Sequence, residues 1–213
     1  MTVATLIIGS LVFFGLATIM AFIPAIGKPY IHRVEQLTEF FGEIAKYIVM
    51  ITIVVGFSNV VLRYTGERLG VKLVNNAIIE TQWYLYTLIF LFGFAYILKN
   101  QINVRVDFWF AEQSKERKAI IDLIGHFFAL IPYCVLALMV TWPAVMTSWA
   151  QWEMSPDPDG LARAPLKAMV IVAFGSLLLQ AMAEIIKLFA TLRSQEETFG
   201  IETADADAPI RIE

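Results

Sequence analysis

Apolar residues in this chain gather into long runs rather than short alternating periods. Residues 4–26, 47–62, 83–98, 119–142 and 168–190 are dominated by Leu, Ile, Val, Phe, Ala and Met. Each reaches the roughly 20 residues that cross a bilayer once flanking residues are counted. The pattern predicts an all-α integral membrane protein with five transmembrane helices and little chain left for a soluble domain. A signal peptide has a basic start, a shorter apolar core and a small-residue cleavage site. Nothing before Lys28 is basic, so the first run reads as a retained span with Pro24 near its end. The chain divides into an N-terminal span (1–27), a connector (28–46), a region holding four spans (47–191) and a tail (192–213).

The segments between the runs carry their own patterns. In the connector, Val34, Leu37, Phe40, Phe41, Ile44 and Ile48 recur at helical spacing among Glu35, Gln36, Glu39, Glu43 and Lys46. Two readings fit: an amphipathic helix on the cytoplasmic surface that bends into the second span, or a simple extension of that span. From Asn100 to Phe110 apolar residues alternate over several positions, which suggests a strand. A strand without a sheet partner is unstable, and a short interfacial helix with Trp109 at headgroup depth fits equally. The loop at 143–167 holds Trp149, Trp152 and the turn-forming run Ser155-Pro156-Asp157-Pro158-Asp159-Gly160. With Trp142 at its start it forms an aromatic belt and a docking surface. The tail, with Glu196, Glu197, Glu202, Asp205 and Asp207 and few large apolar residues, reads as disordered.

Composition agrees with the lipid setting. Hydrophobic residues make up 58% of the chain and charged residues only 16%, against about 25% in a soluble domain, and the mean hydropathy is +0.67. The single cysteine, Cys134, lies inside the fourth run. It excludes an internal disulfide or a thiolate metal cluster and reads as a small buried apolar residue. Orientation follows from the 16 Lys and Arg residues. Only Arg63, Arg68, Lys72, Arg163 and Lys167 fall on one side of a five-span arrangement, and the remainder fall on the other. The positive-inside tendency then predicts a periplasmic N-terminus and a cytoplasmic C-terminus.

Polar groups at membrane depth are costly, which makes each a functional candidate. Glu80, Gln82 and Tyr84 open the third span, where Glu80 either caps or anchors the helix or pairs with a partner subunit. Asp122 and His126 are four residues apart and share a helix face. A proton relay would need deeper acidic groups, and Gln180 and Glu184 sit toward the cytoplasmic end of the fifth span, with Lys187 three residues after Glu184. A structural contact between helices is the expected role for the pair, and Asn59, with Ser58 and Gly56, is expected to do the same in the second span. Of the two histidines, His32 lies in the basic connector, so a haem site facing a buried pocket is poorly supported. No phosphate loop, nucleophile motif or metal-spaced set of His and Cys occurs, and the chain does not read as an enzyme.

Glu80-Thr81-Gln82-Trp83-Tyr84-Leu85, Phe92-Gly93-Phe94-Ala95-Tyr96-Ile97-Leu98-Lys99 and Asn103-Val104-Arg105-Val106-Asp107 resemble the second-helix and following-loop signature of a known family. So do Ser155-Pro156-Asp157-Pro158-Asp159-Gly160-Leu161, Pro165-Leu166-Lys167 and Leu179-Gln180. The family is the small membrane subunit, Q-type with a four-span core, of tripartite ATP-independent periplasmic (TRAP) transporters. The nearest subtype is the mannitol/chloroaromatic-like one, with a dicarboxylate-like one beside it. The resemblance covers residues 37–190 and implies a non-catalytic scaffold in the bacterial inner membrane. Its implied partners are a large elevator-type membrane subunit and a periplasmic substrate-binding protein that delivers an organic acid. Sodium and substrate sites would lie on the large subunit, so this chain is expected to carry no cofactor, metal or catalytic residue, and its surroundings are lipid rather than nucleic acid. Two departures stand out: Asn103 occupies a position where the family commonly has His, and the first span is additional to the four-span core. Gly9, Ser10, Gly15 and Ala17 could give that extra helix a close-packing face.

Partner contacts are expected at Glu80, Trp83 and Tyr84 near the outer face and at Arg105 and Asp107 at the cytoplasmic face. Trp149, Trp152, Asp157 and Asp159 would face the periplasmic binding protein. Two other classes remain open on the sequence. A self-contained channel or carrier would rely on Asn59, Asp122 and His126, and a haem or quinone anchor for a redox enzyme would show a haem absorption band.

Overall fold

The computed structural model describes residues 3–102, 110 and 112–201. The expected contacts Arg105 and Asp107, like Asn103 and Trp109, lie outside the described residues, as does the tail beyond residue 201. The elements in order are α1 (Val3–Phe22), α2 (Pro24–Leu69), α3 (Asn76–Lys99), α4 (Lys115–Gly125), a π-helical turn (His126–Leu130), α5 (Ile131–Ala150), α6 (Ala164–Leu192) and the short α7 (Glu196–Phe199). Counting α4 to α5 as one rod, five helices among the described residues are long and apolar enough to cross a membrane. Within lipid a helix satisfies its own backbone, which is why apolar runs of this length take that form.

Helix boundaries follow local chemistry. Pro24 stands at the first position of α2, where its missing N–H costs nothing. The helix then runs unbroken for 46 residues, about 69 Å at 1.5 Å per residue. The connector and the second span form one continuous helix. Gly70, at a φ of 68°, ends α2 in the left-handed region, and the Val71 N–H donates to Gly66 O at 3.0 Å, closing a Schellman cap. Ser114 caps α4 by accepting from the Arg117 N–H. The π turn ends two residues before Pro132, which has no N–H for the preceding turn. The last loop begins later than its prolines suggest. Pro143 lies inside α5, which continues to Ala150, so Trp142 and Trp149 sit on a helix and only Trp152 belongs to the loop.

The described residues form two compact units. The first comprises the described residues within 1–36, 98–136 and 178–213. Its core gathers Ala21, Ile31, Val34, Ala183, Ile186, Ala190 and Phe199. The extra helix α1 is packed into this unit: the Phe14 ring meets Phe127 edge-on at 4.6 Å and Phe189 at 6.3 Å. Its buried face is Ser10, Ala17 and Ala21, with Gly9 against Val135, whereas Gly15 faces open space. Where disorder was expected after residue 192, residues 196–199 are helical and Phe199 is buried. One large ring inserted among small side chains is enough to hold that segment, and Lys115 pairs with Glu196 at 2.8 Å beside it.

The second unit comprises residues 37–97 and 137–177. Phe41 stacks on Phe92 at 5.2 Å and Phe94 approaches Phe174 at 5.9 Å. A Cβ at Gly42 would fall 2.3 Å from the Tyr96 ring, so only glycine admits this approach of α2 and α3. Farther along, the Asn59 amide donates to Gln82 Oε1 at 3.5 Å, matching the interhelical role expected of Asn59.

Candidate partner-docking site

The loop between α5 and α6 is a densely hydrogen-bonded polar structure in the second unit. Its prolines and polar side chains give it no helical or sheet ladder, so its backbone groups must find other partners. Ser155 N–H donates to Leu161 O at 3.0 Å, Gly160 N–H to Asp157 O at 3.1 Å and Arg163 N–H to Glu153 O at 2.8 Å. Met154 and Ala162 face each other across an isolated antiparallel bridge. A Cβ at Gly160 would lie 2.4 Å from Ser155 Cβ, so the turn closes only on glycine.

Two carboxylates hold this loop. Glu80, on the first turns of α3, is only 3% exposed. One of its oxygens accepts from the Ser155 hydroxyl and the other from the Leu161 N–H at 2.6 Å. The Glu80 carboxylate is therefore engaged inside the chain, where the sequence suggested a helix cap, an anchor or a pair with a partner subunit. Glu153 accepts from the Ser148 hydroxyl at 2.7 Å and from the Lys167 ammonium. The Lys167 hydrogen bond holds the Glu153 carboxyl below its ordinary value. Asn76 adds a third tie, donating to Pro158 O at 2.9 Å.

The other predicted contacts on this unit differ in exposure. Asp157 and Asp159 are exposed at the turn tip, and Asp159 takes a left-handed φ of 59°. Trp149 and Trp152 meet edge-on at 5.4 Å and both stay exposed. Trp83 is exposed on α3, whereas the Tyr84 hydroxyl is enclosed. The unit thus brings Glu80, Tyr84, Asp157 and Asp159 to one end of α3 with the loop. The tied loop thus carries exposed Trp152, Asp157 and Asp159 on a frame held from within the chain. Among the described residues, no group of three or more His, Cys, Asp or Glu side chains is placed to hold a metal ion.

A second polar constellation lies in the first unit. Gln180 and Glu184 are buried on α6, and the Gln180 amide donates to Glu184 at 2.9 Å. Lys187 bridges Glu184 at 2.5 Å and Glu35 of α2 at 2.9 Å. The spacing of Glu184 and Lys187 was visible in the sequence, but Glu35, 152 residues from Lys187, was not. His126 does not share a side-chain hydrogen bond with Asp122: its Nδ1 pairs with the Asp122 carbonyl oxygen at 2.6 Å. Its Nε2 is enclosed without a hydrogen-bond partner among the described residues.

No curated protein and no solved structure matches the chain. Residues 52–191 match a family described as tripartite ATP-independent periplasmic transporters, DctQ component. That stretch contains α3, the tied loop and both polar constellations except Glu35, and it covers more than half of the sequence. The chain therefore belongs to the DctQ family and is the small subunit of a TRAP transporter, a multi-pass protein of the bacterial inner membrane.

Proposed function

We propose that this chain is the static scaffold of a sodium-coupled symporter that imports an organic acid. In this reading a large elevator-type membrane subunit carries the sodium and substrate sites, and a periplasmic binding protein delivers the substrate. The observation that carries the proposal is the family match combined with the apolar surface left on α2, where Ile51, Ile53, Val54 and Phe57 are all at least half exposed. An apolar face of that extent is suited to lipid and a membrane partner. The N-terminus lies in the periplasm and the C-terminus in the cytoplasm, as the Lys and Arg distribution favours. The loop held by Glu80 and Glu153 then faces the periplasm and presents Trp152, Asp157 and Asp159 to the binding protein.

The test is reconstitution. Proteoliposomes holding this chain alone should take up no organic acid, and those holding it with the co-expressed large subunit should show uptake driven by a sodium gradient once binding protein is added. Uptake by this chain alone would overturn the scaffold reading and favour a self-contained carrier.

A further inference from the structure

A cavity of about 550 Å³ opens in the second unit where the apolar run of α2 gives way to charged residues. Asn59, Arg63 and Glu67 follow one another at four-residue intervals along α2 and line one wall. The chain past the Gly70 cap folds back and supplies Lys72 together with Val71 and Leu73. Ile79 of α3 adds further apolar lining. The chamber is therefore amphiphilic, with two cations and one anion beside aliphatic walls.

Arg63, Glu67 and Lys72 form no ion pair or hydrogen bond with any described residue. Arg63 and Glu67, although four residues apart on one helix, do not satisfy each other. Two unpaired cations at a membrane boundary suit a phosphate, which Arg in particular binds through its forked donors. An anion alone would leave Glu67 opposed to it. A group with a phosphate and a primary ammonium satisfies all three charges, and acyl chains attached to it would continue along the aliphatic walls and the α2 surface. The volume also falls in the range of small-ligand sites, roughly 300–1,000 Å³.

We propose that this cavity binds one phospholipid with a phosphoethanolamine headgroup, the phosphate held by Arg63 and Lys72 and the ammonium by Glu67. The site is independent of the transport role assigned above and would exist in the chain without any partner.

The experiment is native mass spectrometry of the full-length chain in a non-denaturing detergent. Phosphatidylethanolamine, phosphatidylglycerol, phosphatidylcholine and acyl-free glycerophosphoethanolamine are titrated separately. The wild type should retain one phosphatidylethanolamine in preference to the other three. Replacing both cations, R63Q with K72Q, should weaken retention of every phospholipid by about a hundredfold, the loss of one charge-assisted hydrogen bond at each of the two cations. Glu67→Gln should leave phospholipid retention intact while removing the preference for phosphatidylethanolamine over phosphatidylglycerol. Equal retention of all phospholipids by the wild type, or unchanged retention in the double variant, overturns the proposal. Acyl-free headgroup bound as well as intact lipid overturns the lipid assignment.

Discussion

Helices α2 and α6 have almost the same apolar character and opposite environments. Their most apolar windows have mean hydropathies of 1.9 and 2.1, yet none of the α2 window is buried whereas over half of the α6 window is. Lipid is as apolar as a protein interior, so hydrophobicity cannot sort helices between them. Residue size does. Buried α6 positions include Ala173, Ser176, Ala181, Ala183 and Ala190, whereas α2 presents bulky Ile51, Ile53, Val54 and Phe57 outward. Small side chains let backbones approach, and α6 uses that closeness to enclose Gln180, Glu184 and Lys187, which α2 could not do on its lipid-sized face.

The contrast is broken most directly at Lys187. Replacing it with alanine leaves Glu184 and Glu35 without their shared cation in an enclosed site, and breaking a buried pair in this way costs about 3–5 kcal/mol. A denaturant titration in detergent, followed by helicity, should show that loss for Lys187→Ala. An unchanged midpoint would mean that α6 is packed no more tightly than α2.

Phe199→Ala empties the pocket among Ala21, Ile31, Val34, Ala183, Ile186 and Ala190, at a cost of about 3 kcal/mol. Because α7 is short, the same change should expose residues 193–201 to protease while α2 remains resistant.

The loop between α5 and α6 should respond to acid. Lys167 lowers the Glu153 pKa, so the carboxylate's stabilising contribution is whole above the ordinary Glu value near 4.3. It is lost as pH falls through the depressed folded value. Limited proteolysis at residues 151–163 should accelerate in that acid window. Glu153→Gln should flatten the pH dependence.

The smallest effect is expected on α2. Ile53→Ala with Val54→Ala should change the stability of the isolated chain by less than about 0.5 kcal/mol per site, as for exposed positions elsewhere. Co-purification with the large subunit is the sharper measurement: reduced recovery would place that partner on this face, and unchanged recovery would assign the face to lipid.

The apolar runs alone fixed the helical class and the number of spans, because a bilayer demands about 20 apolar residues per crossing and permits little else. Motif spacing was equally legible: Glu80 and the Ser155 to Leu161 stretch carried the family resemblance, and the match over residues 52–191 agrees with it. Helix ends were less legible, since Pro143 and Trp149 look like loop residues until α5 carries them through. Tertiary structure alone decided which helix is enclosed, that Glu80 grips Ser155 and Leu161, that Glu35 completes the pair around Lys187, and that Phe199 anchors a segment of tail-like composition. Each of these is a contact between residues far apart in the chain. Periodicity reports which face of a helix is apolar, and in a membrane every apolar face has two possible neighbours, lipid or protein, that only packing distinguishes.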